Sequence, residues 1–241
     1  MPDAIFADPR LTPLYDTFED PRSDLTHYLQ IARELHATSV VDIGCGTGAF
    51  ALLAANEGLH VTGVDPAAAS LDVARAKPGA DDIDWHLGDA TTLPALRADL
   101  AVMTGNVAQV FLTDDSWNAT LAAIHTSLVP GGHFVYETRQ LSDRAWERWA
   151  RNTTAAVRTI DGVGDVTQRT IVEDIELPFV TFRHEYDFPS GERIISTSTL
   201  RFRSDQENRT ALEHAGFSVS DVREARDRPG RENVYIASTP D

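Results

Sequence analysis

Cysteine and lysine are almost missing from this chain. Its 241 residues include one cysteine, Cys45, so an intrachain disulfide is excluded. Lysine occurs once, at Lys77, while arginine is plentiful, and we interpret this as a composition bias rather than a site. None of the eight histidines has a second strong ligand at metal-binding spacing, so we expect no metal centre.

Positive charge is also scarce. The chain has 21 Lys and Arg residues against 37 Asp and Glu residues, which gives a formal net charge of −16. Phosphate contacts need clustered Lys and Arg, so this balance argues against non-specific binding of nucleic acid. An acidic surface favours small or cationic substrates instead. We therefore expect a small-molecule substrate and no nucleic-acid partner.

Long apolar runs are absent as well. No run approaches the about 20 apolar residues that a membrane-spanning helix needs. The chain does not start with a basic segment followed by an apolar stretch of signal-peptide length. These absences lead us to expect a cytoplasmic protein with no membrane partner.

What the sequence does contain is a glycine-rich turn after an apolar segment. Val40–Ile43 is apolar apart from Asp42 and suits a buried strand of a parallel sheet. Three alternate glycines follow, and the next segment, Ala49–Asn56, is strongly helix-forming. A strand, a glycine turn and a helix N-terminus together form the arrangement that holds nucleotide-like cofactors.

The glycine spacing alone leaves the cofactor open, because Gly44, Gly46 and Ala49 also satisfy the relaxed dinucleotide fingerprint. Asp42 favours a different cofactor, since its charge repels a pyrophosphate and attracts a cationic amino group. The alternative interpretation of Asp42 is a strand-end acid that hydrogen-bonds the turn. Residues 41–48, Val-Asp-Ile-Gly-Cys-Gly-Thr-Gly, closely resemble motif I of the class I S-adenosylmethionine-dependent methyltransferases.

The resemblance implies a set of cofactor contacts. Asp65, at the end of the second predicted strand, is placed to accept both ribose hydroxyls, or else to cap the next helix. Asp89 and the N–H of Ala90 would contact the adenine. In similar enzymes a Tyr of the N-terminal arm, here Tyr15, lies over the cofactor. The residues predicted to bind the cofactor are Tyr15, Asp42, Gly44, Cys45, Gly46, Thr47, Gly48, Asp65, Pro66, Asp89, Ala90, Thr104, Gly105 and Asn106.

The same resemblance, close over about residues 38–140 and only in outline over the last third, implies the fold. We expect an α/β, Rossmann-like seven-stranded sheet with its last strand antiparallel and an inserted antiparallel β lobe. The proline- and acid-rich start, up to residue 22, reads as an irregular arm. Within one methyltransferase domain, 1–241, we assign an arm and helix covering the cofactor to 1–37, the cofactor-binding core to 38–140, the β insert to 155–203, and a C-terminal helix and closing strand pair to 204–241.

One predicted strand of the insert alternates between apolar and polar residues. Its apolar face is predicted to roof a substrate pocket or to form a dimer contact. That face consists of Val180, Phe182, His184, Tyr186 and Phe188.

The leading hypothesis is a methyltransferase that uses S-adenosyl-L-methionine and transfers its methyl group to N or O of a small molecule by in-line displacement, as a monomer or homodimer. The sulfonium already activates the methyl group, so little acid–base machinery is needed and the catalytic residues stay unassigned. His27, His184 and Tyr186 are the candidate bases. The alternatives are an NAD(P)-dependent oxidoreductase, which the glycines allow, and a non-enzymatic module that binds S-adenosylmethionine.

Overall fold

A computed structural model describes residues 2–19 and 21–240, so Met1 and Asp20 of the predicted arm and Asp241 lie outside it. Within the described residues the α-helices are α1 (Ala4–Ala7), α2 (Thr12–Glu19), α3 (Leu25–Glu34), α4 (Ala49–Asn56), α5 (Ala68–Arg75), α6 (Asp114–Ser127), α7 (Ala145–Arg151) and α8 (Asp205–His214). The strands are β1 (Ser39–Ile43), β2 (His60–Asp65), β3 (Ile83–Leu87), β4 (Ala98–Met103), β5 (Leu128–Arg139), β6 (Ala156–Ile160), β7 (Gly164–Glu176), β8 (Phe179–Asp187), β9 (Arg193–Arg201), β10 (Ser218–Glu224) and β11 (Glu232–Ser238).

The larger sheet has seven strands in the order β10-β11-β5-β4-β1-β2-β3. β1 pairs in parallel with β2 and β4, β2 with β3, and β4 with β5. The last strand, β11, runs antiparallel to both of its neighbours, β5 and β10. This topology confirms the predicted α/β, Rossmann-like sheet with its last strand antiparallel.

Helices cover both faces of this sheet, because alternate residues of each buried strand point to opposite sides. Val41 packs on one face in a core that includes Trp117 and Leu121 of α6. Val40 packs on the other face with Tyr28 of α3 and Phe50 of α4. Each such buried side chain contributes about 1.5 to 3 kcal/mol of burial free energy. The two apolar layers therefore fix the carboxyl ends of β1 to β4 at one edge.

The smaller sheet is antiparallel, with the order β6-β7-β8-β9, and it confirms the predicted β lobe. One of its apolar clusters packs against the N-terminal helices, where Ile5, Leu11 and Leu14 meet Tyr186 of β8. A second cluster packs against α7 through Trp146. The insert is thus anchored at two places.

The predicted irregular arm is wrong. The N-terminal arm is helical, since Pro13 lies in the first turn of α2, where its missing N–H costs nothing. Helix α5 begins at Ala68, so Pro66 precedes it. Helix α6 ends at Ser127, and Pro130 belongs to β5. Thr113 caps α6 by accepting the N–H of Ser116 at 3.2 Å.

None of the described helices has both the length and the apolar character that crossing a membrane requires.

Candidate cofactor and substrate site

The predicted site residues lie mainly at the carboxyl ends of β1 to β4. The glycine turn follows β1, Asp65 ends β2, Asp89 follows β3 and Thr104 follows β4. In parallel α/β sheets, ligands bind at this edge, in the crevice outside the carboxyl ends of the strands. The fold therefore brings together residues that are as much as 60 positions apart in the chain.

The glycine turn is held by backbone hydrogen bonds and leaves one open position. The N–H groups of Gly44 and Cys45 donate to the carbonyl of Val64 at 2.8 and 3.1 Å. At Gly48, which precedes α4 with φ +80°, a Cβ would come within 2.6 Å of the Trp85 ring. At Gly46, with φ +54°, no atom lies within 4 Å of the position that a Cβ would take. The missing side chain at Gly46 therefore leaves bare backbone facing open space.

Asp65 is fixed by the glycine turn that precedes it in the chain. Its side chain, 7% exposed, accepts the N–H of Gly46 at 2.8 Å through one oxygen and that of Ala67 at 2.8 Å through the other. Burial raises the pKa of this carboxyl, and those two hydrogen bonds oppose the rise. Each oxygen keeps a second lone pair, so hydroxyl groups of a ligand can still donate to it.

Asp42 lies beneath the turn and is 1% exposed. Neither of its carboxylate oxygens has a hydrogen-bond partner among residues 2–19 and 21–240. Burial, with a smaller effect from the charge of Asp65, raises the pKa of Asp42 to about 7. The predicted alternative, an acid that hydrogen-bonds the turn, is not what the structure shows.

Asp89 is exposed and is already engaged by its own turn. Its Oδ1 accepts the backbone N–H of Thr91 at 2.8 Å and the hydroxyl of Thr91 at 2.5 Å, capping a short 3-10 helix, Ala90–Thr92. The side chain of Ala90 is buried and Pro66 is exposed. The second carboxylate oxygen of Asp89, Oδ2, is therefore available to a ligand.

The loop after β4 depends on a residue that the sequence analysis missed. Glu137 of β5, 1% exposed, accepts the N–H of Gly105 at 2.7 Å and that of Asn106 at 3.1 Å, and also the hydroxyl of Tyr28. Asn106 has φ +63° and donates through Nδ2 to Glu232 at 3.2 Å. The buried Oδ1 of Asn106 has no partner within the described chain. An acid inside an otherwise apolar strand was the available signal for Glu137.

The N-terminal helices reach the glycine turn through Asp16, whose role was also missed. Thr47, 2% exposed, donates its hydroxyl to Asp16 at 2.5 Å. Lys77 lies 2.5 Å from the other oxygen of Asp16 and donates to the carbonyl of Thr47 at 2.7 Å. The one lysine, first interpreted as a composition bias, therefore joins α2 to the turn. Cys45 is buried, and burial raises the pKa of its thiol, which suits an inert turn residue.

A cavity of about 350 Å³ adjoins the loop after β4. Tyr15, Gly105 and Asn106 from the predicted set line it, whereas the residues of the glycine turn do not. Burial raises the pKa of Tyr15 to about 12, so its hydroxyl is neutral. The predicted insert face contributes its middle part, namely Phe182, His184 and Tyr186. The role of this face, as a roof over a substrate pocket or as a dimer contact, stays a prediction.

The candidate bases are not equivalent. His27, on α3, does not line the cavity, and both of its ring nitrogens are buried without partners among the described residues. His184 lines the cavity, its Nδ1 lies 3.0 Å from the hydroxyl of Thr170, and burial lowers its pKa to about 4. Tyr186 accepts a hydrogen bond from Gln168 at 2.8 Å, and burial raises its pKa. At neutral pH, His184 and Tyr186 therefore present uncharged polar groups to the cavity.

A larger depression, of about 760 Å³, lies elsewhere. It is lined by residues at the starts of β4 and β5 together with Thr239 and Pro240. Ligands of parallel α/β sheets bind at the opposite ends of the strands, so we assign the site to the smaller cavity.

Comparison with known proteins agrees with the geometry. A family model described as a methyltransferase domain matches residues 40–132. A ubiquinone/menaquinone biosynthesis C-methyltransferase of Rubrivivax gelatinosus is 32% identical over 143 residues, which cover 57% of this chain and 54% of that protein. A malonyl-[acyl-carrier protein] O-methyltransferase of Serratia marcescens is 28% identical, over 61% of this chain and 53% of that protein. The chain thus spans about half the length of these curated relatives.

Solved structures share the fold over nearly the whole chain. The CcbJ methyltransferase of Streptomyces caelestis superposes with a TM-score of 0.77 at 19% identity, covering 96% of each chain. The sugar N-methyltransferase KedS8 of a Streptoalloteichus species gives 0.77 at 16% identity, covering 94% of this chain and 93% of its own. CalS10 of Micromonospora echinaspora, an amino pentose methyltransferase solved with S-adenosylmethionine bound, gives 0.71 at 20% identity, covering 93% and 96%.

The sheet order, the glycine turn and the acids at the strand ends define a class I α/β methyltransferase fold. Residues 40–132 match the methyltransferase-domain model, and the chain has the fold of these S-adenosylmethionine-dependent enzymes.

Proposed function

We propose that this chain is an enzyme that transfers the methyl group of S-adenosyl-L-methionine to N or O of a small molecule by in-line displacement. The observation that carries the proposal is the glycine turn, whose bare backbone at Gly46 faces open space beside the carboxylate of Asp65. The cavity beside the loop after β4 supplies a place for the acceptor.

The residues present fit the cofactor. Asp65 has acceptor capacity left for the ribose hydroxyls, and Asp89 has a free oxygen for the adenine. The unpartnered acceptors of Asp42 and Asn106 leave negative potential where the cationic methionine end would lie. When bound, the cofactor supplies a methyl group that its sulfonium has already activated.

The chain's own task is then to bind, orient and exclude water. The N-terminal helices and the insert wall off the cavity, so an acceptor is held in a largely desolvated space. The uncharged His184 and Tyr186 can accept or donate a hydrogen bond to the acceptor without adding a positive charge that would oppose the sulfonium. We assign 1–37 to covering the cofactor and 155–203 to shaping the acceptor pocket.

The relatives that cover the insert support N as the methylated atom. The structural matches that cover almost the whole chain contain a sugar N-methyltransferase and an amino pentose methyltransferase. The curated relatives match over about half of their own length and include an O-methyltransferase, which supports O, and a C-methyltransferase, which supports neither N nor O. A monomer or homodimer with no nucleic-acid partner remains our prediction.

Calorimetric titration with S-adenosylhomocysteine, and separately with NADH and NADPH, tests the cofactor assignment. We expect binding of the first alone. Asp65→Asn removes the charge from hydrogen bonds worth about 1.5 to 3 kcal/mol, so we expect about 10- to 100-fold weaker binding. Asp72→Asn, an exposed carboxylate on α5, is the matched control. Binding of a nicotinamide alone, or unchanged affinity in a folded Asp65→Asn variant, would overturn the assignment.

A further inference from the structure

Arg139, at the end of β5, is a guanidinium held in one orientation. Its Nη1 donates to Oε1 of Gln109 at 2.9 Å, and its Cζ lies 5.1 Å from the centre of the Trp149 ring. Gln109 is 1% exposed, and its amide nitrogen donates to the carbonyl of Arg201 at 3.4 Å. That bond turns the amide oxygen of Gln109 toward Arg139. The side chain of Arg139 is therefore fixed on two sides by partners that are themselves fixed.

The remaining edge of this guanidinium faces the cavity. Arg139 lines the cavity with 22% of its side chain exposed, and Nη2 has no hydrogen-bond partner within residues 2–19 and 21–240. Burial lowers the pKa of Arg139 and the nearby Glu232 opposes that shift, but a guanidinium stays protonated at any ordinary pH. A desolvated, oriented cation with free N–H groups is what binds a carboxylate.

Four acids among the described residues line the cavity, and two of them, Asp24 and Asp227, are engaged by other cations, while Asp3 accepts the hydroxyl of Ser198. Asp24 accepts from Arg22 at 2.8 Å, Asp227 from Arg228 at 2.7 Å, and Glu232 from Arg228 at 2.9 Å. Glu232 Oε1 also lies 3.7 Å from Nε of Arg139, which is an ion-pair distance but longer than a hydrogen bond. Glu19 lines the cavity as well, and its side chain is exposed to solvent, which weakens its field inside. Within residues 2–19 and 21–240, no acid accepts a hydrogen bond from Arg139, so its N–H groups other than the one given to Gln109 remain available.

The walls opposite are aromatic. The described cavity residues with ring side chains are Phe6, Tyr15, Phe18, Phe182, His184 and Tyr186. Phe182, His184 and Tyr186 lie on one face of β8, and their rings follow one another at 5.2 and 6.3 Å. Such a surface buries a planar ring and gains from offset or edge contacts with it.

We propose that the acceptor substrate is a planar ring compound that carries a carboxylate, and that Arg139 binds this carboxylate. The inference rests on the proposed function and names its substrate class. The ring packs against the aromatic face of the insert while the free edge of Arg139 donates to the carboxylate oxygens. The methylated N or O is then a substituent of the same compound.

The first experiment uses the wild-type protein. Calorimetry in the presence of saturating S-adenosylhomocysteine compares benzoate with benzamide, which share shape but differ in charge. We expect benzoate to bind about 10- to 100-fold more tightly, the range given by a charge-assisted hydrogen bond. Equal binding, or preference for benzamide, overturns the inference. Since S-adenosylhomocysteine is titrated beforehand, this failure is distinguishable from failure of the cofactor assignment.

Variants then locate the contact. Arg139→Lys keeps the positive charge next to Glu232. A lysine ammonium lacks the planar guanidinium that can donate to Gln109 and to a carboxylate at the same time, so we expect the preference for benzoate to fall at least several-fold. Glu19→Gln, which removes an acid from the same cavity, is the matched control and should keep or increase the preference. Arg22→Gln tests the other guanidinium of the cavity. Loss of the preference in Arg22→Gln with retention in Arg139→Lys overturns the assignment to Arg139.

Discussion

Asp42 is a buried carboxyl whose ionisation is costly in the folded chain. Its carboxyl is buried without hydrogen-bond partners in the described part of the chain, and its pKa rises from 3.8 to about 7. A carboxyl with a raised folded-state pKa contributes stability that is present below the unfolded-state pKa and is lost as the pH rises through the folded-state pKa. In the absence of cofactor, Asp42 therefore destabilises the protein increasingly between about pH 4 and pH 7.

We expect Asp42→Asn to remove this dependence. The free energy of unfolding of the variant minus that of the wild type should grow by about 2 kcal/mol between about pH 5.5 and pH 8. The difference grows by about 1.4 kcal/mol for each pH unit up to the folded-state pKa and is constant above it. Urea unfolding of both proteins without cofactor at the two pH values measures it. Comparing the difference between proteins cancels the contributions of the other titrating groups. A difference that does not change with pH would show that Asp42 ionises freely in the folded state.

At the residue scale, the sequence predicted the residues of the glycine turn and of the strand ends. It did not predict the side chains that reach the site from a distant strand. The positions of Asp65 and the glycines follow from one local pattern, and the structure places them together. Glu137 and Arg139 serve the site from β5, about 90 residues after the glycine turn. Their roles depend on partners such as Gly105 and Gln109, and no local pattern specifies such pairings.

At the scale of elements, the strands were predicted well because burial imposes a period that the sequence displays. The predicted buried strand Val40–Ile43 lies within β1, and the insert has the predicted antiparallel form. The N-terminal helices were missed because proline was interpreted as a breaker, although at the first turn it is compatible with a helix. Their stability comes from tertiary packing of Leu11 and Leu14 against the insert, which local propensity does not reveal.

The N-terminal helices contact the glycine turn through an ion pair and hydrogen bonds among Asp16, Thr47 and Lys77. We expect Lys77→Met to increase the dissociation rate of S-adenosylhomocysteine by several-fold, because the helices that wall the site lose their ion pair with the core. The free energy of unfolding should fall by only about 1 kcal/mol, as is usual for partly exposed ion pairs. Stopped-flow displacement and urea unfolding measure the two effects.

The matched control for Lys77→Met is Arg75→Met. Arg75 pairs with Asp72 at 3.7 Å on the surface of α5 and does not contact the N-terminal helices through that pair. Its substitution should leave the dissociation rate unchanged. If Lys77→Met and Arg75→Met have the same dissociation rate as the wild type, the ion pair does not retain the cofactor.

At the scale of the whole molecule, net charge does not describe the cavity. The formal charge of −16 first favoured a cationic substrate, whereas the cavity is lined by three arginines, Arg22, Arg139 and Arg228, together with four acids, Asp3, Glu19, Asp24 and Asp227. The two observations are compatible, because exposed charges are screened over about 8 to 10 Å while a desolvated guanidinium acts at contact distance. Net charge therefore predicts the surface behaviour of this protein better than its substrate.

Self-repulsion among the acidic groups should make the stability of this protein depend on salt. Raising KCl from about 20 mM to about 500 mM shortens the Debye length to a few ångströms and screens that repulsion, so we expect Tm to rise by roughly 2 to 4 °C, equivalent to about 1 kcal/mol for a chain of this size. Thermal unfolding near neutral pH, without cofactor, measures the shift. Near about pH 5, where carboxyls begin to take up protons, the rise should be smaller. A Tm that falls with salt near neutral pH would mean that attractive pairs such as Arg22 with Asp24 outweigh the repulsion.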